Sequence, residues 1–377
     1  MQGTILLALM ALDPGGAETH GIALARSLQR KGHRVLVASN GGALVRQLEA
    51  AGIEHVWVPL HTKHPLQVGR SYLRLRSLVR QENVALIHAH ARIPGWISQT
   101  VARQTGVPLV TTFHGVYNPG GGLRYITRFG DAVIAVSDDV KRHLIEQFNV
   151  SAEKITVIPN GIDTNLYASG PPDPILMKEF DLTGDLRCIT YVSRLAGPRG
   201  DTALRLIGAA RLLLSETPEL RLLIIGEGDR LETIRQAAAD LNQQAGRTVV
   251  TVTGARLDIE RLHHLAFAAV GVGRSALEAM AVGKPVIIAS EYGLQGVITP
   301  ANFDTARRNN FSGRGTERAA DEPALAAELR GLLQSPEHAG EYGAFARGMI
   351  QTHFSMDIIT EDILKVYEST FRKETRK

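Results

Sequence analysis

The chain of 377 residues contains one cysteine, Cys188, which excludes an internal disulfide and any cysteine-rich zinc site. Cys188 lies in an apolar stretch, so we expect it in the core. No apolar run reaches the roughly 20 residues that a membrane-spanning helix needs. The apolar start at 5–12 lacks a basic leader and ends in Asp13-Pro-Gly-Gly16, which predicts a strand and a loop rather than a signal peptide. These absences predict a cytoplasmic protein.

Length and composition predict a soluble protein with more than one domain. A chain of this length exceeds one ordinary hydrophobic core, so we expect two domains. The hydrophobic fraction of 44% and the charged fraction of 21% are typical of soluble globular proteins.

Apolar stretches of strand length alternate with helical patterns along most of the chain. In the first part, strands are predicted at 3–10, 34–38, 55–59, 84–89, 108–113, 132–136 and 155–158. Helices are predicted between them, for example at 17–31 and 96–105, each followed by a glycine. A second series of strands is predicted at 188–192, 220–225, 249–252, 268–272 and 285–288. This alternation predicts the α/β class, with doubly wound parallel sheets covered on both faces.

The stretch 160–186 interrupts this alternation, because it contains Gly170-Pro-Pro-Asp173 and few periodic apolar positions. It predicts a connection between an N-terminal domain at 1–170 and a second domain at 171–350, followed by a helical segment at 351–377. Ligands of doubly wound sheets bind outside the carboxyl ends of the strands. The loops at those ends are therefore the candidate sites.

Two arginines, Arg194 and Arg199, follow a strand of the second series, where the chain enters a Gly/Pro loop before a helix. Planar guanidiniums beside a helix N-terminus suit a pyrophosphate group. Glu278 lies on a short helix after another strand, where a carboxylate can bind ribose hydroxyls. Together they predict a nucleotide-sugar site, although a pair of ordinary surface arginines remains the alternative.

Seven short motifs in order give the chain a resemblance to a known family. They are Gly15-Gly-Ala-Glu18, Thr112-Phe-His-Gly115, Val136-Ser137, Val157-Ile-Pro-Asn-Gly-Ile-Asp163, Arg194-Leu195 with Arg199-Gly200, Ile225-Gly-Glu-Gly-Asp229 and Glu278-Ala-Met-Ala-Val-Gly-Lys-Pro-Val286. The ordered set resembles the family 4 retaining glycosyltransferases. The resemblance implies a GT-B fold, which has two Rossmann-like domains facing a cleft, and a C-terminal helix near 357–372 that packs on the first domain.

The residues themselves and the resemblance together predict which residues form the site. Its catalytic residues are His114, Arg194 and Arg199; its donor-binding residues are Gly15, Gly16, Gly226, Glu227, Arg274, Ser275 and Glu278; its acceptor-side residues are Glu18 and His90. The substrate that the resemblance implies is a nucleotide-diphosphate sugar, with no metal ion and no other cofactor, because basic side chains neutralise the diphosphate. No carboxylate is placed as a nucleophile, so the implied mechanism is attack from the leaving-group face with retention of configuration.

Several of these positions have a plainer interpretation. Gly15 and Gly16 also fit an ordinary turn between a strand and a helix. His114 also fits a hydrogen-bonded histidine near the core. His88 and His90 alternate on one strand and share a face, but a metal site would need a third ligand that the sequence does not supply.

The chain departs from the family pattern at two places. The family usually has lysine where this chain has Arg199, and it has a further glutamate where this chain has Val270. The missing carboxylate leaves three hypotheses open. Backbone N–H groups at a helix start capped by Ser275 replace it, Arg274 recognises an anionic or modified sugar, or catalysis is lost.

The distribution of charged residues along the chain suggests hypotheses about the acceptor. Residues 1–170 contain 17 Lys/Arg and 11 Asp/Glu, a net charge of +6, and 61–81 contains five basic residues and no acid. Leucines interleave with these cations, which predicts a basic amphipathic helix that rests on an anionic membrane and receives a lipid-linked or saccharide acceptor. A solvated helix face is the alternative, and no nucleic-acid motif accompanies the charge. The competing functions are a nucleotide-sugar epimerase of the same fold and a catalytically silent protein of envelope-polysaccharide assembly.

Overall fold

The computed structural model describes residues 3–182 and 184–374, which form two compact units. The first unit combines Met1–Asp163 with Phe354–Lys377, and the second is Thr164–His353. The boundary after Asp163 lies a few residues before the predicted domain end at 170.

The first unit is a parallel sheet of seven strands. Its elements are β1 (Thr4–Ala8), α1 (Gly16–Arg30), β2 (Val35–Ser39), α2 (Val45–Ala50), β3 (Glu54–Trp57), α3 (Pro65–Gln81), β4 (Val84–His90), α4 (Arg92–Thr105), β5 (Leu109–Phe113), β6 (Ala132–Ala135), α5 (Asp138–Phe148) and β7 (Ile155–Val157). The strand order is β3-β2-β1-β4-β5-β6-β7, and every neighbouring pair is parallel. The sheet therefore reverses its direction of growth between β1 and β4.

The central strands, such as β1 and β2, are apolar on both faces because helices cover both faces of the sheet. Ile5 and Leu7 of β1 pack in a cluster with side chains of α1, whereas Leu6 and Ala8 pack with side chains of α3 and α4. This alternation follows from the two-residue period of a strand.

The second unit has a six-stranded sheet. Its elements are α6 (Pro174–Glu179), β8 (Arg187–Val192), α7 (Gly197–Leu213), β9 (Leu220–Ile225), α8 (Leu231–Ala245), β10 (Val250–Gly254), α9 (Ile259–Leu265), β11 (Ala266–Gly271), α10 (Arg274–Ala281), β12 (Val286–Ser290), β13 (Gly293–Val297), α11 (Phe303–Arg308), α12 (Glu322–Gln334) and α13 (Pro336–His353). The order is β10-β9-β8-β11-β12-β13, and only the edge strand β13 is antiparallel. The sequence did not predict β13 or α6.

The last helix, α14 (Met356–Glu374), belongs to the first unit. Its apolar side chains Ile359 and Ile363 are buried in the same cluster as those of α1. Ser27 of α1 donates a hydrogen bond of 3.0 Å to Asp357, and Lys31 pairs with Glu361 at 2.9 Å. The two doubly wound, Rossmann-like sheets are those of a GT-B fold.

Candidate active site

The predicted site residues of the second unit follow neighbouring strands. Arg194 and Arg199 follow β8, while Arg274 and Glu278 follow β11, which is paired with β8 in the sheet. The strand order reverses between β8 and β11. Such a reversal leaves a crevice at the carboxyl ends of the two strands, where ligands of doubly wound sheets bind.

Arg194 and Arg199 are both exposed, and neither forms an ion pair with any residue that the structure describes. Strand β8 ends at Val192, so Arg194 lies in the loop that follows the strand. Its guanidinium therefore stays hydrated and needs no partner to compensate for a desolvation cost. Two solvated cations without acidic partners in the described part of the chain remain available to an anion.

The loop after β9 supports the loop that carries Arg194. The backbone N–H of Leu195 donates to the carbonyl oxygen of Glu227 at 2.8 Å, and that of Gly197 donates to Asp229 Oδ1 at 3.1 Å. Gly226 has φ +145°, and a β-carbon there would collide with the carbonyl oxygen of Ser193. Gly226 and Glu227, both predicted donor residues, thus hold the arginine loop through their backbones.

Glu278 is buried, with 6% of its surface exposed, and its carboxylate forms hydrogen bonds with other side chains of the protein. Arg274 Nε donates to Glu278 Oε1 at 2.7 Å, and the hydroxyl of Tyr167 also bonds to the carboxylate. Burial raises the pKa of Glu278, while Arg274 and Tyr167 oppose that rise. A ribose hydroxyl would have to compete with these bonds. Tyr167 was not among the predicted site residues.

Ser275 does not cap α10, which corrects the prediction from the sequence. The cap residue is Gly273, with φ +54°, so the helix begins at Arg274 and Ser275 lies in its first turn. The Ser275 hydroxyl donates to the carbonyl oxygen of Val272 at 3.1 Å instead of accepting from a helix N–H. Gly273 N–H donates to the carbonyl oxygen of Phe311 at 2.9 Å, a support that the sequence did not reveal.

In the first unit the sheet order reverses between β1 and β4, and predicted residues follow both strands. Gly15 is the cap of α1 and has extended backbone with φ −172°, which any residue can adopt. The Glu18 carboxylate folds back over Gly15, where a β-carbon would collide with it. The start of α1 thus has its own carboxylate beside the N–H groups that were predicted to meet a donor phosphate.

Four histidines lie together at this edge of the first sheet: His20 on α1, His88 and His90 on β4, and His114 after β5. His90 Nδ1 lies 2.9 Å from His114 Nε2, and His114 Nδ1 lies 2.9 Å from Asn160 Oδ1. The structure thus brings the two predicted residues His90 and His114 into direct contact. It adds His20 and Asn160, for which the sequence predicted no role.

His88 has a structural role, because both of its ring nitrogens are hydrogen-bonded inside the first unit. Its Nδ1 lies 2.7 Å from the Tyr367 hydroxyl of α14, and its Nε2 lies 2.6 Å from the Thr112 hydroxyl. Complete burial lowers the pKa of His88 to about 3, so the ring is neutral at neutral pH. His88 therefore joins β4 to the C-terminal helix.

Two features are absent from the described residues 3–182 and 184–374. These residues contain no group of three or more His, Cys, Asp and Glu side chains arranged to hold a metal ion. No helix in them combines the length and the apolar character needed to span a bilayer.

The predicted basic helix is α3, which begins at Pro65. Leu66 and Leu73 lie seven residues apart on one face and are 79% and 62% exposed. The guanidiniums of Arg70 and Arg74 lie 5.0 and 4.5 Å from the centre of the Trp57 ring. This face, which we call the α3 face, combines exposed leucines with cations.

Comparison with known proteins agrees with this geometry. The family model "Glycosyltransferase Family 4" matches residues 14–166, and the model "Glycosyl transferases group 1" matches residues 174–349. The phosphatidyl-myo-inositol mannosyltransferase of Mycolicibacterium smegmatis is 25% identical over 373 residues, which cover 94% of this chain and 90% of that protein.

Solved structures share the fold. A glycosyltransferase from Rickettsia africae matches with a TM-score of 0.78 and 22% identity over 98% of this chain and 99% of that one. The Anabaena protein HepE in complex with UDP-glucose matches with a TM-score of 0.76 and 22% identity over 98% of this chain and 100% of that one. With both family models matched in order, the chain belongs to the family 4, group 1 glycosyltransferases of GT-B fold.

Proposed function

We propose that this glycosyltransferase moves a hexosyl group from a nucleoside-diphosphate sugar to a saccharide or lipid-linked acceptor, with retention of configuration. The observation that carries the proposal is the pair of exposed arginines, Arg194 and Arg199, at the carboxyl end of β8, which have no acidic partner among the described residues. A diphosphate there would meet two guanidiniums and the start of α7.

Charge development explains the proposed roles. Breaking the bond between sugar and phosphate increases the negative charge on the leaving diphosphate, and fixed cations stabilise that charge most where it develops. Arg194 and Arg199 supply the cations, so we propose that no metal ion is needed. A phosphate oxygen of the leaving group takes the proton of the acceptor hydroxyl, which attacks from the same face of the sugar.

A structural neighbour supports the proposed class of donor. The Anabaena protein HepE was solved with UDP-glucose, which supports a nucleotide-sugar donor for a chain of the same fold. The first experiment is to identify the base and the sugar of the donor.

The acceptor is proposed from the α3 face and from a relative. The Mycolicibacterium smegmatis relative is named as a mannosyltransferase of phosphatidyl-myo-inositol, an acceptor with a lipid anchor. The cations and exposed leucines of the α3 face are suited to an anionic membrane surface. We therefore place the reaction at the inner face of the cell membrane, in the synthesis of an envelope polysaccharide or lipopolysaccharide.

The test is a panel of nucleotide sugars, each incubated with the purified protein while nucleotide release is followed. We expect one donor to be turned over, and Arg194→Ala to lower kcat by about 10²-fold or more without a change in melting temperature. EDTA should leave the rate unchanged.

The control is Arg211→Ala, which removes an exposed arginine near the other end of α7 and should keep wild-type turnover. Wild-type turnover by Arg194→Ala would remove its leaving-group role. Binding of nucleotide without release from any donor would favour the catalytically silent alternative, and isomerised free donor would favour an epimerase.

A further inference from the structure

Both ring nitrogens of His114 are bonded within the protein. Asn160 Oδ1 lies 2.9 Å from His114 Nδ1, and His90 Nδ1 lies 2.9 Å from His114 Nε2. An amide oxygen only accepts, so His114 Nδ1 carries the hydrogen and His114 Nε2 is the acceptor. His90 Nδ1 must therefore donate, and His90 Nε2 is the bare nitrogen of that ring.

The buried position of His90 fixes this direction. His90 is 1% exposed, and its Nε2 has no hydrogen-bond partner among the residues that the structure describes. The opposite tautomer of His90 would bury an N–H without an acceptor. A buried N–H without an acceptor costs more free energy than a buried nitrogen lone pair without a donor. The opposite tautomer would also set two lone pairs against each other at the contact with His114.

We propose that His90 is a positioning residue that holds His114 in its neutral Nδ1–H form and in one orientation. This inference rests on the proposed function and deepens it, because His114 is one of its predicted catalytic residues. With both nitrogens bonded, His114 acts through the fixed position of its ring and backbone and not as a proton carrier.

Further titratable and charged groups face the pair from neighbouring elements. The ring of His20 on α1 lies 5.2 Å from that of His114, and the ring of His88 on β4 lies 4.2 Å from that of His90. From the loop after β5, Tyr117 bonds to the backbone of His114, with Glu18 of α1 and Arg92 of α4 near its hydroxyl.

Protonation of His114 would put a hydrogen on Nε2, facing the N–H of His90. The contact would survive only if His90 moved its own hydrogen to the buried Nε2. We therefore expect His114 to stay neutral between about pH 5.5 and 8, the range in which an ordinary histidine titrates.

Two variants of similar size separate positioning from space filling. His90→Asn places an amide nitrogen where Nδ1 lies and keeps a donor for His114. His90→Gln places its amide where Nε2 lies and removes that donor. A third variant, Asn160→Leu, removes the acceptor at His114 Nδ1 without a change on β4.

The first measurement is two-bond ¹H–¹⁵N correlation of the full chain labelled with ¹⁵N-histidine, with the His114 signals assigned by their loss in His114→Asn. Wild type and His90→Asn should show the Nδ1–H tautomer and no titration over that pH range. His90→Gln and Asn160→Leu should show mixed tautomers and a titration near pH 6.5. An Nε2–H form in wild type, a titrating wild-type His114, or identical behaviour of His90→Asn and His90→Gln would overturn the proposal.

The second measurement is turnover of the donor found in the panel. His90→Gln should lose about tenfold in kcat at pH 6, with the donor KM changed less than about twofold, and His90→Asn should stay within about threefold of wild type. Equal losses in the two variants, with equal melting temperatures, count against the proposal. The expected tautomer pattern without turnover of any donor would remove the proposed function and leave the role of His90 intact.

Discussion

The carbonyl oxygen of Ser193 lies against the α-carbon of Gly226, so closely that no β-carbon fits between them. Gly226 also has φ +145°, a conformation that is rare for residues with a side chain. The same loop places Glu227 against Leu195 through a backbone hydrogen bond of 2.8 Å. The loop of Arg194 is therefore positioned by the glycine-rich loop after β9.

Gly226→Ala should lower the free energy of unfolding by more than about 2 kcal/mol and weaken nucleotide binding, because the new β-carbon pushes the arginine loop away. Urea unfolding and calorimetric titration with UDP or GDP would measure the two effects. Gly246→Ala is the matched control, since Gly246 has φ +63° at the end of α8 and no atom near its missing β-carbon. It should cost about 1 kcal/mol and leave nucleotide affinity unchanged. A folded Gly226→Ala with unchanged affinity would contradict the positioning role of the loop.

Tyr167→Phe removes the hydroxyl that bonds to the buried carboxylate of Glu278. We expect it to lower the free energy of unfolding by about 1–3 kcal/mol at pH 7, because a hydrogen bond to a buried charge is lost. It should also raise the pKa of Glu278 further above its usual value, since Tyr167 opposes the effect of burial. Urea unfolding at a series of pH values would measure the loss, which should shrink as protonation removes the charge of Glu278, a group whose pKa burial raises.

The control for that variant is Tyr125→Phe, because Tyr125 is 78% exposed. Glu278→Ala tests the predicted contact with ribose separately, and it should weaken nucleotide binding. If Glu278→Ala lowers stability but leaves nucleotide affinity unchanged, Glu278 has only the structural role that its bonds to Arg274 and Tyr167 give it.

Acid should destabilise the protein through buried histidines. Burial lowers the pKa values of His88 and His263 to about 3, below the usual 6.5 of an unfolded chain. Between these pH values the unfolded state binds protons that the folded state does not, so stability is full above pH 6.5 and falls as the pH drops towards 3. Each histidine contributes at most about 5 kcal/mol to that loss. Unfolding by urea at a series of pH values would measure it.

His263→Leu should make this acid sensitivity smaller and also stabilise the protein at pH 7. Neither ring nitrogen of His263 has a hydrogen-bond partner within the described part of the chain, and the ring is 1% exposed. Replacing unpaired buried nitrogens by carbon removes a cost of about 1–3 kcal/mol. His338→Leu, at an exposed position of α13, is the control and should change neither quantity. Destabilisation by His263→Leu at pH 7 would mean that the ring has a partner or a shape that leucine cannot replace.

Most strands of the two sheets were predictable because they are short apolar runs, as at β1 and β9. The antiparallel β13 was missed because Gly293 and Gly296 interrupt its apolar pattern. The ion pair between Arg274 and Glu278 could have been predicted from the sequence, since residues four apart on a helix face each other.

Contacts between distant parts of the chain had no local pattern. His88 meets Tyr367 across 279 positions, and His114 meets Asn160 across 46. Each of these residues, considered alone, is compatible with an ordinary position in a loop or in the core. Only the fold brings them together, so the sequence predicted His90 and His114 separately but not the hydrogen bond that joins them.

The α3 face gives the last prediction. Leu66→Ser with Leu73→Ser should reduce binding to vesicles containing phosphatidylglycerol, because exposed leucines bury in the lipid interface while neighbouring cations attract its charge. We expect a loss of about tenfold or more, since each leucine contributes about 1.5–3 kcal/mol when fully buried. Sedimentation with vesicles would measure it.

Leu212→Ser is the matched control, because Leu212 is also exposed, at 47%, but lies on α7 in the second unit. Salt should weaken the binding of wild type, since the attraction of cations to an anionic surface is screened. Vesicles of phosphatidylcholine alone should bind poorly for the same reason. If wild type binds neutral and anionic vesicles equally, or the double variant binds as well as wild type, the α3 face is a solvated surface and the acceptor reaches the enzyme by another route.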